Sequence, residues 1–420
     1  MKLRVLIILL CFVFSSCSLF IKEDDEPSYT VRIVWDSELI SNYYKSQIVD
    51  GDSVYFYERP PGYTNVNIYT LTRLDAETGN LIWRSILFRN IMFCQPIVID
   101  NYVYIFLEPN IILCFNRETG EHTATAAIDI GDNNSRLSWN LVSYNQYLYF
   151  GYRDEAGGYF GRIDVNNINQ NGKQDEMQTL HPDILWQSET GCIVTAKPVI
   201  HNNIAYNSTN TSGFFLVELA GVNIETKQMV FHAAFGGPDD GDVPFPETGG
   251  SQNHIFIYGD TLYYLNWSIS AWNIPTGKLL YRHVFTRDIP NEQYYMANGL
   301  LQAVYYQEKL YYTSRASDSP LGFRNIHCID AKTGRLVWND VAKNSLTLDS
   351  NLIIVHDRLY VAQSVGLRVY NPENGKLIGV DKSFYGGEGG RNVLYNDYMI
   401  CVRVNPKTME GRMVAVYVGK

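Results

Sequence analysis

LDAETGNLIW (Leu74 to Trp83) and IDAKTGRLVW (Ile329 to Trp338) are near-copies, in which an apolar residue and Asp lead through a Thr-Gly turn to an apolar pair and Trp. Weaker copies read FNRETGEHTA (Phe115 to Ala124), VNIETKQMVF (Val222 to Phe231), WNIPTGKLLY (Trp272 to Tyr281) and YNPENGKLIG (Tyr370 to Gly379). Alternating apolar residues that run into a turn where Gly or Asn supplies positive φ are the chemistry of a β-hairpin. Recurrence at roughly 40–55 residues marks a repeat architecture, in which each unit buries its faces against its neighbours.

A second signal fills the intervals. Each phrase is preceded by an apolar strand, a short polar turn and a Tyr-rich strand, as in SQIVDGDSVYFY (Ser46 to Tyr57), QPIVIDNYVYIF (Gln95 to Phe106) and NLIIVHDRLYVA (Asn351 to Ala362). Eight such first hairpins occur, each followed by a second, so the repeat has four antiparallel strands, A to D. The fold expected is all-β, an eight-bladed β-propeller; seven blades would require one weak copy to be illusory. The last repeat ends after EGRMVAVYV (Glu410 to Val418) without a strand D, while TVRIVWDS (Thr30 to Ser37) is a spare strand before the first repeat. Trp35 stands in it as Trp83, Trp186 and Trp338 stand in strands D. The N-terminal strand is therefore expected to complete the last blade and close the ring, removing an open edge.

The D-A-x-T-G-x-x-x-W phrase resembles the repeat of quinoprotein-type eight-bladed propellers. Among these the chain looks closest to the propeller lipoprotein family of the bacterial outer-membrane β-barrel assembly machinery, over Thr30 to Lys420. The resemblance is specific for the fold and much less so for function, because the same ring hosts enzymes, scaffolds and binding modules.

The N-terminus reads as a lipoprotein signal over residues 1–16: Lys2 and Arg4, the apolar Val5 to Phe14, then Ser15-Ser16 before Cys17. Cys17 is the expected lipidation site, with ordinary cleavage nearby as the alternative. Residues 17–29 form a lipidated tether containing Glu23-Asp24-Asp25-Glu26, and residues 30–420 form the propeller. Acyl chains would supply membrane affinity at roughly 0.8 kcal/mol per buried methylene. Ser18 after the Cys resembles outer-membrane sorting, and the acidic run leaves either the periplasmic side or the cell surface open.

The formal charge is −10, and loss of Lys2 and Arg4 takes it to −12, which argues against nucleic acid as a partner. Outside the signal and anchor, Cys94, Cys114, Cys192, Cys328 and Cys401 show no metal spacing and read as buried thiols.

Strand alternation places the A–B and C–D turns on one face and the B–C and D–A connections on the other. The long connections fall in the second set: Glu58 to Asn67, Gly236 to Gly250, Ser314 to Asn325 and Phe384 to Asn392. Long Gly/Pro/Asp loops on a rigid ring are where binding residues collect, so Tyr63, Phe245, Phe323 and Tyr385 are binding-face candidates. One insertion, NNINQNGKQDE (Asn166 to Glu176), sits at a C–D turn. Asn167, Asn169, Asn171, Gly172 and Asp175 match the 1-3-5-6-9 spacing of a calcium loop. Asn replaces Asp three times and Gln178 stands at the twelfth position, so a polar hairpin insertion is the preferred reading.

The quinone dehydrogenases that the phrase resembles imply a calcium-bound cofactor, an Asp base and a vicinal Cys-Cys pair. This chain has no adjacent cysteines and no hydrolase, phosphate-loop or zinc signature, and His181, His201, His254 and His356 are scattered. No catalytic residues and no cofactor are assigned. The sequence points to a non-enzymatic envelope lipoprotein that scaffolds a protein partner, which the family resemblance identifies with an outer-membrane assembly component. The alternative is a surface or periplasmic glycan- or peptide-binding propeller; a quinone-dependent dehydrogenase ranks below both.

Overall fold

The computed structural model describes residues 27–419 apart from 40–43, 61–66, 93, 132–135, 138–140, 155–156, 169–176, 189–192, 195–196, 211–216, 236–253, 266–267, 285–293, 296–302, 317–323, 342–351, 364–365, 385–391, 406 and 409. Blade 1 consists of strands A (Tyr44–Asp50), B (Ser53–Glu58), C (Ile68–Asp75) and D (Leu81–Arg84) in antiparallel order. The same meander repeats over 97–128, 142–187, 199–235, 254–284, 304–341 and 352–381 as blades 2 to 7. Blade 8 takes strands A to C from 393–417 and its strand D from Arg32–Asp36 at the other end of the chain. The described residues thus form the expected eight-bladed ring, closed by the N-terminal strand. Among them no helix is long and apolar enough to cross a membrane.

The tyrosines explain themselves on strand B. Each strand B lies between two other strands and between two neighbouring blades, so both of its faces are covered. Tyr55, Tyr57, Tyr104, Tyr149, Tyr206, Tyr264, Tyr311 and Tyr360 are almost wholly buried. Where a hydroxyl reaches a neighbour it ties blades together: Tyr311 donates to the Pro372 carbonyl at 3.0 Å and Tyr263 to the Ala331 carbonyl at 3.2 Å.

The Thr-Gly phrase is both a turn and a docking platform. Asp75 Oδ1 accepts from the backbone N–H groups of Glu77 and Thr78 and from Thr78 Oγ1, at 3.1, 2.8 and 2.7 Å. Gly79 then takes φ +73°, a conformation costly for L side chains. The indole of Trp35 lies on that glycine from the preceding blade, and its Nε1 donates to the Ala76 carbonyl at 3.1 Å. Trp83 on Gly120 with the Arg117 carbonyl (2.8 Å) repeats the arrangement, as does Trp338 on Gly375 with the Pro372 carbonyl (2.9 Å). Tyr281 does the same on Gly334, its hydroxyl reaching the Ala331 carbonyl at 2.9 Å. An added Cβ at Gly120 would fall 2.5 Å from Trp83 Cδ2.

Where the phrase is degraded, another contact occupies the seam. Blade 2 has Ala124 in the aromatic position, and blade 3 has the long insertion instead of a Thr-Gly turn. Residues 169–176 of that insertion, read from sequence as a polar hairpin, lie outside the described residues. Just beyond it, Gln178–Leu180 pair in parallel with Ala126–Ile128 as a fifth, outermost strand on blade 2. The Asp129 N–H donates to the Leu180 carbonyl at 2.8 Å. This strand covers an edge that would otherwise carry unpaired backbone groups. Between blades 3 and 4, Lys227 takes the glycine position at φ 58°, and its Nζ meets Asp183 at 2.5 Å.

Blade 7 has Gly379 where an aromatic residue would stand. The chain's own N-terminal segment runs over it. The Tyr29 N–H donates to the Val380 carbonyl at 3.0 Å, and the Val380 N–H donates to the Pro27 carbonyl at 2.8 Å. Arg358 Nη1 holds the Tyr29 hydroxyl at 3.0 Å, and Asp381 Oδ2 accepts the Val31 N–H at 2.9 Å. A Cβ on Gly379 would fall 2.8 Å from Tyr29 Cβ, which accounts for the glycine. Residues 27–36 therefore clasp two blades.

Candidate functional site

Antiparallel order sends every B–C and D–A connection from the same end of the blades. The strand ends that bound the long connections, Glu58 and Ile68 in blade 1 and Ala316 and Arg324 in blade 6, agree with this. The candidates Tyr63, Phe245, Phe323 and Tyr385 lie outside the described residues, as do Cys17, Asn169, Asn171 and Asp175. Asn167 closes a single 3-10 turn, Val165–Asn167, capped by Asp164. Among the described residues no group of His, Cys, Asp and Glu is arranged to hold a metal ion. Cys94, Cys114, Cys328 and Cys401 are buried, and Cys192 is outside the described set.

Charged side chains gather toward the loop end of several blades. Glu58, wholly buried at the end of strand B, accepts from Thr72 Oγ1 at 2.7 Å and Arg84 Nε at 2.5 Å. In blade 4, Glu218 Oε2 accepts from Ser188 Oγ at 3.0 Å and Thr209 Oγ1 at 3.2 Å. Buried carboxylates hold such positions only when hydrogen-bonded. Sequence reasoning passed over these residues, because each is a lone polar position inside an apolar strand pattern.

His327 was also passed over. It is 1% exposed and stacks on Tyr312 at 4.9 Å with 9° between the rings. Burial, aided by the neighbouring His283, pushes its pKa down to about 3 from 6.5. The unfolded chain then binds one more proton than the folded chain between these two values, so stability falls as pH drops through that window. Between pH 6.5 and 5 the loss should be about 2 kcal/mol at 1.36 kcal/mol per unit. His327→Phe should flatten urea midpoints measured across that range; an unchanged slope would remove His327 as the cause.

At the loop end of blade 8 the described residues form an open cleft of about 490 Å³. Its walls include Arg403 and Val404 at the end of strand B, Asn405, Lys407 and Glu410 in the B–C connection, and Arg412 in strand C. Asp36, ending the N-terminal strand, and Ser383, just beyond strand D of blade 7, complete it. Arg403 Nη1 and Arg412 Nη1 stand 4.0 and 3.8 Å from the two Asp36 oxygens. Sequence alone does not find this grouping, since its members are separated by hundreds of residues.

The start of the inner strands tests the fit of a quinone–calcium group. Lys197, entering strand A of blade 4, donates from Nζ to Gln95 Oε1 of blade 2 at 3.2 Å, and Gln95 Nε2 donates to the Gln47 carbonyl of blade 1 at 3.0 Å. Calcium takes six to eight oxygen ligands, carboxylates prominent among them. The described groups here are the Gln95 amide, the Gln47 backbone carbonyl and the Lys197 ammonium, and the ammonium is the one that does not fit beside a calcium ion.

Blade count and strand order define an eight-bladed propeller, and its Thr-Gly docking phrase resembles the quinoprotein repeat. More particularly, the chain resembles the family described as outer membrane protein assembly factor BamB, whose family model matches residues 241–398. No curated protein sequence matches the chain. Among solved structures, the quinohemoprotein alcohol dehydrogenase of Comamonas testosteroni is 10% identical, with TM-score 0.63, covering 93% of this chain and 77% of that one. The quinohemoprotein alcohol dehydrogenase ADHIIG of Pseudomonas putida HK5 gives 11% identity and TM-score 0.62, with 93% and 76% covered. The computationally designed Ika8 protein gives 13% and 0.57, with 92% and 99% covered. At these identities the likeness concerns the fold alone.

Proposed function

We propose that this protein is a non-enzymatic scaffold of a bacterial cell envelope, anchored to the outer membrane by lipid on Cys17. It presents the loop end of its ring to a protein partner of the outer-membrane assembly machinery. The observation that carries this reading is the match of residues 241–398 to the assembly-factor family. The Lys197 ammonium at the inner strands supports it against the dehydrogenase reading, because a fixed positive charge there repels a calcium ion. A rigid ring with long connections at one end suits docking of partner loops or an added partner strand.

The test is affinity purification of the tagged protein from detergent-solubilised membranes. Wild type should label with a fatty-acid probe and bring down a β-barrel assembly component, and Cys17→Ala should appear unlabelled in the soluble fraction. Bound glycan without any assembly protein would replace this reading with the glycan-binding one. Membrane retention of unlabelled Cys17→Ala would end the lipid-anchor reading.

A further inference from the structure

We propose that the blade 8 cleft receives an acidic stretch of a partner polypeptide, an assignment that rests on the scaffold reading and names what one part of its surface recognises. Three cations, Arg403, Lys407 and Arg412, line the cleft against two carboxylates, Asp36 and Glu410, in a chain whose formal charge is −10. Asp36 stands between the two guanidiniums at 4.0 and 3.8 Å, outside hydrogen-bonding distance of either. A single carboxylate cannot satisfy two five-donor guanidinium forks, so both keep N–H groups for an incoming acceptor. Glu410 is turned in part to its own loop, its Oε2 accepting from Thr408 Oγ1 at 3.1 Å.

The walls are held by regular structure. Val402 pairs with Met413 and Arg403 with Arg412 across strands B and C, and the Ser37 N–H donates to the Met413 carbonyl at 2.9 Å, fixing Asp36. Guanidinium groups on rigid strands bind carboxylates through paired, charge-assisted hydrogen bonds. The cleft's volume of about 490 Å³ falls in the roughly 300–1,000 Å³ span of ligand pockets. The overall negative charge repels extended polyanions such as nucleic acid or an anionic bilayer, whereas a short run of Asp or Glu side chains meets mainly the local cations.

Fluorescence anisotropy of a fluorescein-labelled octaglutamate peptide, titrated with the full mature protein, tests the assignment. Saturable binding at 50 mM salt should weaken steeply by 500 mM. The double variant Arg403→Ala/Arg412→Ala should bind at least about tenfold more weakly, equivalent to about 1.4 kcal/mol, with its melting temperature unchanged. Asp36→Asn should bind more tightly than wild type, because the competing carboxylate is gone; a merely structural ion pair predicts no gain. Equal binding by wild type and the double variant, or displacement of the peptide by inorganic phosphate at matched charge, would overturn it. If an assembly partner co-purifies equally with wild type and the double variant, the acidic-segment assignment falls while the scaffold stands. If no partner co-purifies but the wild-type cleft still binds peptide, the scaffold falls and the assignment stands.

Discussion

A chain that starts at Glu38 should melt roughly 5–10 °C below the mature protein and aggregate on heating. The truncation removes Trp35, which is 8% exposed and packed on Gly79 of blade 1. Loss of a buried Trp alone costs about 3–5 kcal/mol. It also strips strand D from blade 8, leaving Val414–Tyr417 as an open edge, and uncovers Gly379 and Asp381 on blade 7. An open edge templates association with other chains, so light scattering should rise together with unfolding. Identical melting curves for the two proteins would refute ring closure by the N-terminal strand.

Gly120→Ala should destabilise by about 2–5 kcal/mol. Positive φ contributes about 1–2 kcal/mol of that, and overpacking against the Trp83 indole supplies about 1–3 kcal/mol. Gly277 is the control. It has φ +66° in the same phrase, but nothing lies within 4 Å of its added Cβ, so Gly277→Ala should show only the backbone cost of about 1–2 kcal/mol. In a Trp83→Ala background the effect of Gly120→Ala should shrink to that same value, giving a coupling of about 1–3 kcal/mol in a double-mutant cycle. Urea midpoints of the four proteins provide the measurement. Additive effects would show that the indole and the glycine do not depend on each other.

The repeating phrase makes the blade count legible, because Asp, Thr and Gly are dictated by one turn and the aromatic residue eight positions after the Asp follows from the next seam. The same logic shows where something else must intervene. Ala124 and Gly379 stand in the aromatic position, and each is answered by an added segment, Gln178–Leu180 in one case and Pro27–Tyr29 in the other. What answers them is not legible, because a contact such as that between Val31 and Asp381 spans most of the chain and leaves no local pattern. The site fares similarly. Long loops are visible as composition, so the loop-bearing end of the ring follows from strand alternation. The basic cleft is assembled from Asp36, Ser383, Arg403 and Arg412, and no spacing announces it. Buried polar groups such as Glu58 and His327 hide inside strands whose other residues are apolar.

The clasp also sets an order of events in the making of the protein. The strand Arg32–Asp36 finds its partner, Val414–Tyr417, at the far end of the propeller sequence, so the ring cannot close until every blade between them is in place. Blades 1 to 7 can stack in sequence meanwhile, since each touches mainly its neighbours. Throughout that interval Trp35 and two raw sheet edges are open to proteases and to other nascent chains. A holding chaperone would find its substrate in the unclosed ring, and newly made protein should be digested far faster than finished protein.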